Sequence, residues 1–141
     1  MIKKILIVDS HFIVRSRVSL LLENEFNGVF VFGVNDFQDA LSACGTIIFD
    51  LVILNINLPD GRKYSMIDDL RKLQKEVKIL IFSVHDEDIC AFRFIHAGAN
   101  GYLNKLNDSN TIIKAVKTVL ESERYISNDI LDKFIAFSQD S

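Results

Sequence analysis

Short apolar runs alternate five times with segments of helical period along this chain. The runs occupy residues 3–8, 29–34, 50–54, 77–82 and 100–103, and the first, Lys4 to Val8, ends on Asp9. Strands apolar on both faces belong in a parallel sheet with helices on either side. Between the runs, apolar residues recur every three or four positions, the stripe of an amphipathic helix. Residues 11–25 carry Val14, Val18, Leu21 and Leu22, and residues 36–45 carry Phe37, Ala40, Leu41 and Cys44. Met66, Ile67, Leu70 and Leu73 mark residues 64–75, while Ile89, Phe92 and Ile95 mark residues 86–97. Residues 109–122 use Ile112, Ile113, Val116, Val119 and Leu120. Asp36, Asp86 and Asp108 or Ser109 supply the short acceptors of N-caps.

Five strand–helix pairs within residues 1–122 predict an α/β fold: a flavodoxin-like, doubly wound, five-stranded parallel sheet, (βα)5, with right-handed crossovers. Such sheets place their sites at the C-terminal strand ends, where Asp9, Asn55 and Ser83 all fall. Residues 123–141 lie outside the repeat. There Ile126, Ile130, Leu131, Phe134, Ile135 and Phe137 predict an extra C-terminal helix over 127–137, capped by Ser127 or Asn128 and followed by a polar tail.

Composition narrows the classes. A chain of 141 residues, 49% hydrophobic and 25% charged, suits one soluble domain with a real core. Its net charge of −3 leaves no basic footprint for nucleic acid in this segment. Cys44 and Cys90 lack metal-ligand spacing and read as small buried hydrophobes in a reducing compartment. No signal-peptide pattern or membrane-length apolar run is present, so a cytoplasmic protein without a membrane partner is expected.

The candidate chemistry forms an ordered set: Asp9-Ser10, then Asn55 ending Leu51-Val52-Ile53-Leu54, then Ser83, then Lys105 in Tyr102-Leu103-Asn104-Lys105. With His85-Asp86, Ala97-Gly98-Ala99-Asn100-Gly101 and Arg124-Tyr125-Ile126-Ser127, the set resembles a response-regulator receiver domain over roughly residues 2–122. The resemblance is to the NarL/FixJ branch, which carries a LuxR-type helix-turn-helix output domain. It implies that two adjacent acids should follow the first strand, and that an aspartate should stand at Asn55 to accept a phosphoryl group from a sensor kinase. It also implies Mg²⁺ ligands at the second acid, at the acceptor, and at the carbonyl two residues later, here that of Asn57.

Phosphoryl transfer to a carboxylate needs a hard cation on the incoming oxygens and a positive group to stabilise the transferring phosphoryl. An amide has no anionic oxygen to attack with. Because Ser10 and Asn55 stand at the two direct ligand positions, two formal negative charges are missing. No cofactor is expected, and Mg²⁺ binding at the vestigial Asp9, Asn55 and Asn57 should be weak or lost. Lys105, which in the family pairs with the phosphorylated aspartate, is expected to pair with Asp9, with Asn55 as hydrogen-bond partner. Ser83 and Tyr102 match the family's switch pair, whose hydroxyl moves toward phosphate while the ring turns inward. Without phosphate, Ser83 is expected as a satisfied strand-end hydroxyl and Tyr102 as a surface or interface aromatic.

Neighbouring residues add little chemistry. His11, His85 and His96 share no metal spacing and read as surface residues. Asp60 lies several residues past the strand end, outside the geometry Lys105 serves, and is not expected to replace the acceptor. Gly61 can make the turn there, and Arg62 and Lys63 add positive charge.

The sequence therefore reads as an atypical, phosphorylation-independent receiver: a regulatory and dimerisation module of a two-component-type transcription regulator, not an enzyme. A homodimer is expected through the face of helix 86–97, strand 100–103 and helix 109–122, with Phe94 as exposed anchor, or through the terminal helix with Phe134 and Phe137. DNA contact would belong to an output domain beyond residue 141, with residues 123–141 as a helical extension or linker toward it. Two alternatives stand beside this reading. In the first, Asn55 was introduced experimentally into a normally phosphorylated receiver, although Ser10 argues against a design that needs one change. A flavodoxin-like small-molecule or flavin binder would want a Ser/Thr/Gly-rich phosphate loop, which Asp9-Ser10-His11-Phe12-Ile13 is not.

Overall fold

The computed structural model describes residues 3–83, 88–105, 107–126 and 135. Five strands and five helices alternate in the order β1 (Lys4–Val8), α1 (Phe12–Glu25), β2 (Phe30–Val34), α2 (Phe37–Cys44), β3 (Leu51–Asn55), α3 (Ser65–Leu73), β4 (Lys78–Ser83), α4 (Asp88–His96), β5 (Gly101–Asn104) and α5 (Ser109–Leu120). All pairings are parallel and the strand order is β2-β1-β3-β4-β5, so the chain winds one way from β1 and then reverses. The predicted (βα)5 architecture is the observed one.

Side-chain alternation sorts the core into two layers. Leu6, Val8, Val52, Leu54, Ile79 and Ile81 face α2, α3 and α4, whereas Ile5, Ile7, Leu51, Ile53, Leu80 and Phe82 face α1 and α5. Strands β1, β3 and β4 are buried on both faces, as continuous apolar runs require. β2 departs from that expectation. As an edge strand it leaves Phe30 and Phe32 exposed at 42% and 38%.

Two helix termini follow the capping expectation. The Asp36 carboxylate accepts from Asp39 N–H at 2.8 Å, and the Asp108 carboxylate accepts from Thr111 N–H at 2.8 Å. The proposed cap Asp86 and the helix over 127–137, with Phe134 and Phe137, lie outside the described residues; Ile135 is helical and exposed.

Three stripe assignments change. Phe94, expected as an exposed anchor, is 1% exposed and packs on Tyr64 with ring centroids 4.6 Å apart. The buried face of α4 is Ala91, Phe94 and Ile95, at i, i+3 and i+4, while Phe92 is only partly buried. Leu73 is exposed rather than buried, and Gln74 takes the interior position beside it. The Gln74 side chain accepts from Phe49 N–H at 2.8 Å and donates to the carbonyls of Cys44 and Ile47, so its burial is matched by three bonds. Cys44 is buried as expected, and burial pushes its thiol up to about 11.

Candidate functional site

The reversal of strand order at β1 and β3 opens the C-terminal end of the sheet, and the candidate residues meet there. Asp9 follows β1, Asn55 ends β3, Ser83 ends β4 and Lys105 follows β5. All four are buried. Lys105 reaches its place because its N–H bonds to Ser83 O at 2.7 Å, which continues the β4–β5 ladder by one step. Its ammonium forms an ion pair with Asp9 Oδ2, with the two side chains 7% and 1% exposed. It also lies 5.9 Å from the Phe82 ring centroid.

The other carboxylate oxygen is engaged as well. Asp9 Oδ1 accepts from His11 N–H at 2.9 Å and sits 3.1 Å from His11 Nδ1. His11 is exposed, as expected, yet it is the second partner of the buried acid. Asn55, expected to bond within the Asp9–Lys105 pair, instead turns Oδ1 to the Asn57 N–H at 3.1 Å. That is the local turn an amide makes readily at a strand end. Tyr102 corrects another expectation: it is 2% exposed and packs with Ala91, Phe94 and Ile95 of α4 instead of lying on the surface.

Two arginines frame the pocket without having been singled out in the sequence. Arg15 Nη1 donates to the Asp9 carbonyl and to Asn35 Oδ1 at 3.2 Å. Arg17 donates to the carbonyls of Lys105 and Asn107, at 3.5 and 3.2 Å. Both sit in the first turns of α1, so one helix ties down the loops after β1 and β5. Nothing in the sequence marked either one, since a charged side chain on a helix reads as part of its solvated face.

The loop after β3 is held just as firmly. Asp60 accepts from Phe37 N–H and Gln38 N–H, both at 3.0 Å, and so caps α2 from across the site. The bond from the Phe37 backbone holds the Asp60 carboxyl below the usual range, with Gln38 assisting. Gly61 turns the loop with its N–H on Leu58 O, and a Cβ there would meet Met66 Sδ at 2.6 Å. Asp60→Ala should cost about 1 kcal/mol at neutral pH, the usual loss for a removed helix cap. Because the folded carboxyl titrates low, the native advantage is present above the unfolded pKa and fades as pH falls through the folded one. Urea unfolding of both proteins from neutral to acid pH measures the convergence.

The donor set does not suit a divalent cation of the Mg²⁺ kind. Such an ion wants carboxylate oxygens, and among the described residues Asp9 is the carboxylate at the strand ends, already engaged by Lys105. Among the described residues no cluster of three or more His, Cys, Asp or Glu side chains forms a metal site.

Residues 5–117 match the response regulator receiver domain. The chain belongs to that family. It is 34% identical over 128 residues to the Fimbriae Z protein of Salmonella typhimurium, covering 91% of this chain and 61% of that protein. It is 30% identical over 136 residues to the response regulator UvrY of Escherichia coli, covering 96% of this chain and 62% of that protein. The chain thus spans about three fifths of the length of these curated relatives. Among solved structures, a LuxR-family two-component response regulator from an Aurantimonas species superposes with a TM-score of 0.87 at 27% identity, with both chains fully covered. A LuxR-family DNA-binding response regulator from Silicibacter pomeroyi gives 0.79 at 27%, covering 91% of this chain and 99% of that one. The family displaces the flavin-binding alternative, and the receiver is the frame for everything that follows.

Proposed function

We propose that this receiver signals without aspartyl phosphorylation, as the regulatory module of a two-component-type transcription regulator. The observation that carries the reading is the closed Asp9–Lys105 pair beside an amide at the acceptor position. A phosphoryl donor approaching this pocket meets no anionic nucleophile at Asn55. The cation that would stabilise the product is already spent on Asp9. Ser10 and Asn55 leave Mg²⁺ short of two charges, and Asn57 contributes only a backbone carbonyl.

The buried Tyr102 ring supports the same reading. In receivers the inward ring accompanies phosphorylation. Here packing against α4 holds it inside with Asn55 at the acceptor position. Ser83, buried at the end of β4, then serves as a strand-end hydroxyl of the same wall.

Regulation passes to protein contacts. The α4–β5–α5 face is the surface through which two receivers would associate; among its described side chains Arg93, His96 and Lys114 are exposed. The terminal helix is the second candidate surface. DNA binding belongs to an output domain outside these residues, as the lengths of the relatives allow. No described helix is long and apolar enough to cross a membrane.

An NMR titration with Mg²⁺ and then beryllofluoride tests the proposal, run on this chain and on its Ser10→Asp/Asn55→Asp variant. The native chain should stay silent while the variant responds around Asp9, Ser83 and Lys105. Saturable shifts in the native chain would show a pocket that still takes a phosphoryl-like ligand, and the reading would fall.

A further inference from the structure

A five-stranded open sheet ends on two edges, and only one of these is covered. On the β5 side, Tyr125 closes the ladder: its N–H bonds to Asn100 O at 3.0 Å and its carbonyl accepts from Tyr102 N–H at 3.1 Å. On the other side, no strand among the described residues pairs with the outer edge of β2. The register fixes what is left over there. Phe30 N–H donates to Lys3 O and Val34 O accepts from Asp9 N–H, so the backbones of Phe30, Phe32 and Val34 point inward to β1. By alternation, the N–H and C=O groups of Val31 and Gly33 point outward.

Exposed edges usually carry a lysine, a proline or an inward charge that deters pairing. β2 reads Phe30-Val31-Phe32-Gly33-Val34 and has none of these. Its Phe30 and Phe32 rings stack with centroids 6.3 Å apart. Beside them lies an open groove of about 610 Å³, bordered by Phe32, Asp39, Ser42, Ala43 and Thr46.

We propose that β2 is a homotypic docking edge, on which β2 of a second copy pairs antiparallel about a two-fold axis through Phe32. The inference does not depend on how the pocket is read. This register is self-complementary: Val31 and Gly33 of one copy exchange hydrogen bonds with Gly33 and Val31 of the other. Phe32 then meets Phe32 at the central non-hydrogen-bonded position, where side chains approach most closely, and Phe30 faces Val34.

Charge complementarity on α1 favours a second copy over a foreign strand. Arg15 lies across Gly33, with its Cδ 3.4 Å from where a Cβ would sit, so this side of α1 borders the open edge. The same side carries Ser19 and Glu23, at i+4 and i+8 from Arg15. The two-fold sets the α1 helices side by side and antiparallel, which turns Arg15 of each copy toward the Glu23 end of the other.

Sedimentation velocity over a concentration series reads the association of the full chain. A dimer is expected. Phe32→Lys puts like charges opposite one another at the axis and removes the aromatic pair, which should weaken the dimer about tenfold. At a concentration where both proteins are monomeric its urea unfolding curve should be nearly unchanged, because residue 32 is an exposed edge position. A second variant reads the register. In a Cys90→Ala background, Phe32→Cys should oxidise to a dimer linked through residue 32, since Cα atoms at such positions lie about 4.5 Å apart, within disulfide reach. Lys72→Cys, exposed on α3 away from both candidate faces, should stay unlinked. A monomer at every concentration overturns the proposal, as does association that Phe32→Lys leaves unchanged or a dimer in which residue 32 does not link.

Discussion

Lys105→Met is expected to destabilise the fold by about 3–5 kcal/mol, the cost of leaving a buried carboxylate without its cation. Of the partners left to Asp9, one is a backbone N–H and the other an exposed histidine ring, and neither replaces a full charge held inside the protein. A domain of this size has about 5–15 kcal/mol in all, so the variant should unfold at markedly lower urea. The companion variant Asp9→Asn/Lys105→Met removes both charges and should recover most of the loss. A single variant as stable as the native chain would show that Asp9 and Lys105 are not coupled in solution. The claim of a closed pocket would then go with it.

Phe94→Ala is the second large effect, expected at about 3–5 kcal/mol for truncating a buried aromatic. The ring closes the layer between α3 and α4 against Tyr64, and little backbone there can collapse to fill its volume. A cost below about 1 kcal/mol would instead match a surface position. Measuring association alongside stability separates the two roles. A core Phe94 changes the unfolding midpoint, whereas an interface Phe94 would change the oligomer.

The outcome at Phe94 shows where the hydrophobic pattern was readable and where it was not. Strands β1, β3 and β4 were legible because burial on both faces leaves an unbroken apolar run, with no competing reading. α4 was harder. Ala91-Phe94-Ile95 and a stripe through Phe92 and Ile95 are both helical in spacing, and period alone does not say whether Phe92 or Phe94 faces the sheet. Ala91 is small enough to be passed over as a core residue. Leu73 and Gln74 pose the reverse problem, since hydropathy alone buries the leucine. The structure spends that position on an amide, because three backbone groups around the α2–β3 loop need a partner.

The pocket was legible as a set of residue types in order, and the Asp9–Lys105 pair followed from counting charges. What the chain order withheld was orientation. Asn55 had a strand-end turn within reach and took it, and Tyr102 had a core layer beneath it and filled that. The exposed edge of β2 was hidden for a related reason. An apolar run looks the same whether its neighbours number two or one, and strand order is not written in a single segment.

Tyr125 has a mechanical consequence. Its two bonds to the β5 edge fix the last described stretch to the strand that carries Tyr102 and leads directly into Lys105. Gly101 makes this possible, since a side chain there would strike Leu80 and crowd the Tyr125 carbonyl. Whatever follows Ile126 therefore leaves from a riveted point and not from a loose hinge. A load carried by the Tyr125 backbone is therefore borne by β5, the strand that ends beside Lys105.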